Sequence, residues 1–139
     1  MTQSKTLRRW ELALLLGVAL AALLGVWLDG AQAALSDRVI RLHVLANSDS
    51  EADQALKLRV RDAVLAEAEE LFVPGAGRAE TEELLRAHLY DLAAAGAEVV
   101  GEAGYSYPVT ASLVHDYWFP TKTYTDFALP AGAYTALRI

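Results

Sequence analysis

The stretch Leu42-His43-Val44-Leu45-Ala46-Asn47-Ser48-Asp49-Ser50 brings a histidine, a serine and an aspartate close together in sequence. These are the parts of a hydrolytic triad, with His43 as base and Ser48 or Asp49 as its partner. A triad needs the imidazole within hydrogen-bond reach of both partners, beside donors for an oxyanion. No nucleophile elbow of the G-x-S-x-G kind accompanies these residues. A strand followed by a helix cap explains Asn47, Ser48, Asp49 and Ser50 without catalysis, because each side chain can accept from nearby backbone N–H groups. His43, Asp49, His88, His115 and Asp116 are the candidate metal ligands, yet no pair has the spacing of H-E-x-x-H. No catalytic set, metal site or cofactor is therefore expected. Phe119-Pro120-Thr121-Lys122-Thr123-Tyr124 joins a rigid turn, a cation and two rings. It reads either as an aromatic loop packed over a sheet or as a protein-contact loop. Lys57, Arg59 and Arg61 wrap around a helix and read as a solvated face.

Composition narrows the field. The chain has 139 residues, 12 Lys+Arg, 18 Asp+Glu and no Cys. A net charge of −6 lacks the basic footprint of a nucleic-acid binder. Without Cys, this chain has no disulfide, thiol nucleophile or Cys-based zinc site. Lys5, Arg8 and Arg9 precede an uncharged apolar run from Leu12 to Leu28, and Ala31-Gln32-Ala33 follows with an A-x-A pattern. Together these features predict a secretory signal peptide over residues 1–33, cleaved after Ala33, with an uncleaved membrane anchor as the alternative. Positive charge ahead of the run sends the remainder across the membrane. Lys5, Arg8, Arg9, Glu11 and Asp29 lie in that segment. The exported part, 34–139, thus keeps 9 Lys+Arg against 16 Asp+Glu, a net charge of −7.

The exported part predicts an α+β fold. Val39–Leu45 reads as a strand with Ile40, Leu42 and Val44 on one face and Arg41 and His43 on the other. Ser50 with Asp53 approximates a capping box that opens a helix over about 51–72, whose stripe is Leu56, Val60, Ala63, Val64, Ala68, Leu71 and Phe72. Val73-Pro74-Gly75-Ala76-Gly77 stops it. A second helix is expected from about Thr81 to Ala95, with His88 on its apolar stripe and Gly96 weakening or breaking it. A further turn or two extends to Ala103, and Gly104 ends the helical region. Alternation of Tyr107, Val109, Ala111 and Leu113 against Ser106, Thr110 and Ser112 predicts a strand over 105–114. An irregular turn or edge strand should follow over 117–124, and a last strand over 133–139. Helices segregated from strands should cover one face of a mostly antiparallel sheet.

Taken together, three ordered blocks carry a resemblance. Residues 40–62, Phe119–Tyr124 and Leu129–Ile139 resemble successive blocks of stage II sporulation protein R of endospore-forming bacteria. The stretch from Phe72 to Glu102 is similar only in helical character. The family continues past this point with a glycine-rich turn and a Trp/Cys/Pro-rich strand, so the exported domain is expected to lack its C-terminal strand. The resemblance implies a secreted signal made in the forespore and delivered to the space between the septal membranes. There it would activate a membrane-embedded aspartic-type protease, which removes the pro-sequence of the mother-cell sigma factor. The protease is the expected partner, with no nucleic acid, and membrane contact runs through residues 1–33.

Three readings therefore compete: a secreted activator acting by binding, an exported hydrolase using His43 with Asp49 or Ser48, and a membrane-anchored structural domain. For the first, the candidate contacts are the turn residues Asn47 and Asp49 and the loop residues Phe119, Lys122 and Tyr124.

Overall fold

A computed structural model describes residues 8–139, and the chain divides into two units, one ending at Leu35 and one spanning Ser36–Ile139. The first unit is essentially one helix, α1 (Arg9–Ser36). Its stretch Arg9–Ala31, 23 residues long, is apolar enough to cross a membrane and is nowhere buried. At 1.5 Å per residue it reaches about 34 Å, more than the ~30 Å of a hydrocarbon core. Leu16, Leu20, Val26 and Trp27 are all exposed around it. A helix apolar on every side has no face to turn to water. The helix continues beyond the small-residue pattern at Ala31–Ala33.

The second unit is α+β. Its elements are β1 (Ile40–His43), α2 (Glu51–Glu70), α3 (Arg78–Ala87), α4 (Leu89–Glu102), β2 (Ser112–Phe119), β3 (Lys122–Thr123), β4 (Ala128–Leu129) and β5 (Gly132–Arg138). The main sheet has the order β1-β5-β2, with β5 parallel to β1 and antiparallel to β2, while β3 and β4 form a short antiparallel ribbon. The centre strand β5 carries the most burial: Tyr134, Thr135, Ala136 and Leu137 are all buried.

α2 buries Leu56, Val60 and Val64, with Val64 wholly enclosed. It packs chiefly against α4, whose Leu92 and Val100 complete the core with Leu85 and Leu137. The predicted stripe overshoots: Phe72 lies beyond the helix end and is exposed. The helical pair also breaks elsewhere than expected. The interruption is at His88, between α3 and α4, and Gly96 lies inside α4. Gly96 is buried because α2 approaches it closely, as a Cβ there would stand 3.0 Å from Val109 Cγ1 and 3.2 Å from Val60 Cγ1. Gly104 ends α4 with φ +83, and Tyr105 N donates to Val100 O at 3.1 Å. A left-handed glycine closing the last turn in this way is a common helix stop.

Residues 105–111 belong to no strand, and the strand starts at Ser112. The alternation nevertheless holds, because Tyr107, Val109, Ala111 and Leu113 all pack on the helical core. Two bulged residues, His115 and Asp116 (φ 55), shift the register between Val114 and Tyr117. Beyond this bulge β2 continues to Phe119 as an edge strand of the sheet, one of the two forms expected for the start of 117–124.

Candidate functional site

Three neighbourhoods hold the residues singled out above. The first is the turn between β1 and α2. Ser50 Oγ caps α2 by accepting from Asp53 N at 3.2 Å. Asp53, though buried, does not return the favour to Ser50 N, which donates to Ser48 Oγ instead. The Asp53 carboxylate accepts from Ser48 Oγ at 2.6 Å and from Asn47 Nδ2 at 3.4 Å. The hydrogen bond from Ser48 holds this carboxyl below its ordinary range, with Asn47, Tyr107 and Ser50 assisting against the opposing effect of burial. The Tyr107 hydroxyl is pushed up in turn, by burial and by facing Asp53. A cavity of about 410 Å³ opens beside this network, lined by Asn47, Asp53, Lys57, Tyr107, Arg138 and Ile139 among others. Asn47 is exposed at its rim, and Asp49 is exposed in the same turn.

The second neighbourhood is the sheet face away from the helices. Arg41 is buried there, its guanidinium 4.2 Å from the centre of the Phe119 ring and 5.0 Å from that of Tyr134, with Nη1 donating to Pro120 O at 3.5 Å. His43 sits against Tyr117 and Phe119, at ring separations of 5.0 and 5.7 Å. Burial lowers the His43 pKa from its ordinary value, and the charges of Lys57 and Arg138 lower it further. The polar face expected from Arg41 and His43 is therefore a second, aromatic core.

The third neighbourhood is the β3–β4 ribbon. Lys122 and Tyr124 are exposed, and Tyr124 stacks on Phe127 at 4.7 Å.

These placements sort the candidates. His43 and Ser48 do not meet: Ser48 Oγ is bonded to Asp53, and the nearest hydroxyl to His43 Nε2 is that of Tyr117, at 3.4 Å. Phe119 is buried against Tyr134, so it supports its loop and does not present a surface. His88 Nδ1 donates to Leu84 O at 2.8 Å, at the joint of α3 and α4. His115 stands 3.2 Å from Glu82 and 3.3 Å from Thr135. Sequence reasoning missed two features, the aromatic sandwich around Arg41 and the role of Asp53 as the hub of the turn. The second had a signal: a carboxylate at the third helical position that serves a Ser cap can also reach back to the residues before it.

Residues 36–139 match the family described as stage II sporulation protein R. The chain belongs to this family. It is 34% identical over 105 residues to stage II sporulation protein R of Bacillus subtilis (strain 168), a match covering 76% of this chain and 46% of that protein. The chain thus spans about half the length of the curated relative it matches. No solved structure matches it. The match begins at Ser36, the first residue of the compact second unit, so family and fold agree on where that unit starts.

Proposed function

We propose that this member of the stage II sporulation protein R family is an exported signalling protein. In this reading it acts in the space between forespore and mother cell, binding and activating a membrane-embedded aspartic-type protease. The protease then processes the mother-cell sigma-factor precursor. The observation that carries the reading is the family match over the whole compact unit, behind an apolar helix that can enter a membrane. That helix serves as a signal or an anchor, and either role delivers the unit to the far side. Binding without turnover is the chemistry that the placement of His43, Ser48 and Asp49 favours, since among the described residues Ser48 is bonded to Asp53 and His43 to Tyr117, with no nucleophile and base brought together.

The test is complementation. Sporulating cells lacking their own family member should recover sigma-factor processing when this chain is made in the forespore, and should not recover it when residues 1–33 are deleted. His43→Ala should process normally. Processing lost with His43→Ala at unchanged stability would favour the hydrolase reading, and no rescue by the intact chain would remove the activator reading.

A further inference from the structure

We propose that the outer edge of β1 is a docking slot that takes an extended, acidic segment of a protein partner as an added strand. The proposal deepens the activator reading by naming the surface and the chemistry of its partner, and it rests on that reading only for the partner's identity.

The edge is open. Ile139 N donates to His43 O and Leu45 N donates to Ile139 O, both at 3.0 Å. In a parallel ladder this turns the peptide groups of Arg41, His43 and Leu45 toward β5 and those of Ile40, Leu42 and Val44 away from it. Among the described residues β1 is the last strand on its side of the sheet. The outward N–H and C=O groups of Ile40, Leu42 and Val44 have no partner among the described residues. Such a row is a template for another strand unless it is covered or charged.

The edge is also walled on both sides. An open groove of about 790 Å³ runs along it, with α2 on one side and the β3–β4 ribbon on the other. α2 offers Leu58 and Leu65, and the ribbon offers Tyr124 and Phe127, four large apolar side chains that are exposed. A strand added to β1 points alternate side chains to the two faces of the sheet. One set then meets Leu58 and Leu65, and the other meets Tyr124 and Phe127. Backbone pairing with side-chain pockets on either side is the arrangement by which sheet edges recognise peptides.

Charge selects the occupant. The unit as a whole is acidic, yet the cations along this groove outnumber its one carboxylate. Arg61 is paired with Asp62 at 2.7 Å and Arg41 is buried against Phe119 and Tyr134, while Lys57 has no carboxylate partner among the described residues. A segment carrying a carboxylate answers Lys57. A second copy would instead bring the same Lys57 to the same slot, so a partner chain is the better occupant.

The experiment uses the full chain in detergent micelles and a fluorescent octapeptide that alternates valine and threonine and ends in glutamate. Saturable binding is expected, with new hydrogen-exchange protection at the outward amides of Leu42 and Val44. A peptide N-methylated at alternate residues should not bind. Lys57→Glu, a half-buried position whose folding is checked by its melting temperature, should weaken the glutamate peptide by at least about threefold and strengthen its lysine counterpart similarly. Three results would each overturn the proposal: no binding, binding indifferent to both N-methylation and Lys57→Glu, or a dimer in which the Leu42 and Val44 amides are already protected. None of them touches the activator reading, which stands or falls on processing in cells.

Discussion

Gly96→Ala tests the close approach of α2 and Val109 to α4, and two opposing effects fix its sign. In an exposed helix interior, replacing glycine by alanine stabilises by about 1 kcal/mol, because alanine loses less conformational freedom on folding. At Gly96 the new Cβ would lie 3.0 Å from Val109 Cγ1 and 3.2 Å from Val60 Cγ1, both tighter than ordinary contact. Val60 lies in α2, where a β-branched side chain has one strongly preferred rotamer and yields little. Val109 sits before β2 in the stretch that belongs to no strand, so it can withdraw by shifting backbone. Overpacking of a well-filled core costs about 1–3 kcal/mol. The balance is a net loss of about 1 kcal/mol, or several degrees of melting temperature for a unit of this size.

Thermal and urea melts of the full chain measure it. The mechanism is separable from any general dislike of substitution by truncating the neighbour. In a Val109→Ala background the nearer clash disappears, and Gly96→Ala should become neutral or stabilising, a coupling of about 1 kcal/mol between the two sites. If Gly96→Ala raises the melting temperature of the parent chain, or lowers it equally in both backgrounds, the close-approach argument is wrong.

Four further outcomes follow from the same geometry. Stability should decline with acid in two windows: both His43 and Asp53 have pKa values lowered in the fold, so each contributes stability above its ordinary value that is lost as pH falls through its folded one. The first loss begins near pH 6.5 and disappears in His43→Gln, and the second begins near pH 3.8 and disappears in Asp53→Asn, as read from melts across pH. Arg41→Ala should cost about 2 kcal/mol, far more than the same change at exposed Arg59, because it removes a guanidinium packed on two rings as well as its stem; chemical denaturation compares the two. Val64→Ala empties a wholly buried site between α2 and its neighbours and should cost about 1–3 kcal/mol in the same assay. Lys122→Glu, at an exposed position, should leave the melting temperature within about a degree while reducing sigma-factor processing if this site meets the protease, and normal processing would remove it from the contact surface.

Local pattern reached some of this fold and stopped where the decision was tertiary. The capped start of α2, its buried Leu56, Val60 and Val64, and the stop at Gly104 are written in spacing and residue type, so they could be read directly. The break between α3 and α4 could not. Gly96 is a poor helix residue in isolation, but α4 keeps it because α2 needs the space, and only the packed structure reveals that neighbour. The stretch 105–111 shows the same limit: alternation reports which side chains face the core, not whether the backbone finds a partner strand. Of the candidate contacts, Asn47, Asp49, Lys122 and Tyr124 are exposed as a contact requires, while the most aromatic of them, Phe119, is taken into the core by Arg41 and Tyr134.

Arg41 and His43 explain why the open edge escaped the same reading. Their alternation with Ile40, Leu42 and Val44 suggested a strand with one wet face, the usual sign of a sheet covered on one side. Here the aromatic rings of Phe119, Tyr117 and Tyr134 cover the second face, so both faces of β1 are occupied and its exposure is displaced to the edge. Edge exposure has no sequence period, because peptide groups are the same in every residue. What marks it is the pairing partner that β1 lacks among the described residues and the apolar side chains that α2 and the β3–β4 ribbon leave uncovered on either side. A surface made of backbone groups, two apolar walls and an unpaired lysine suits recognition of a chain segment better than chemistry on a small molecule, and this is the property an activator that works by binding requires.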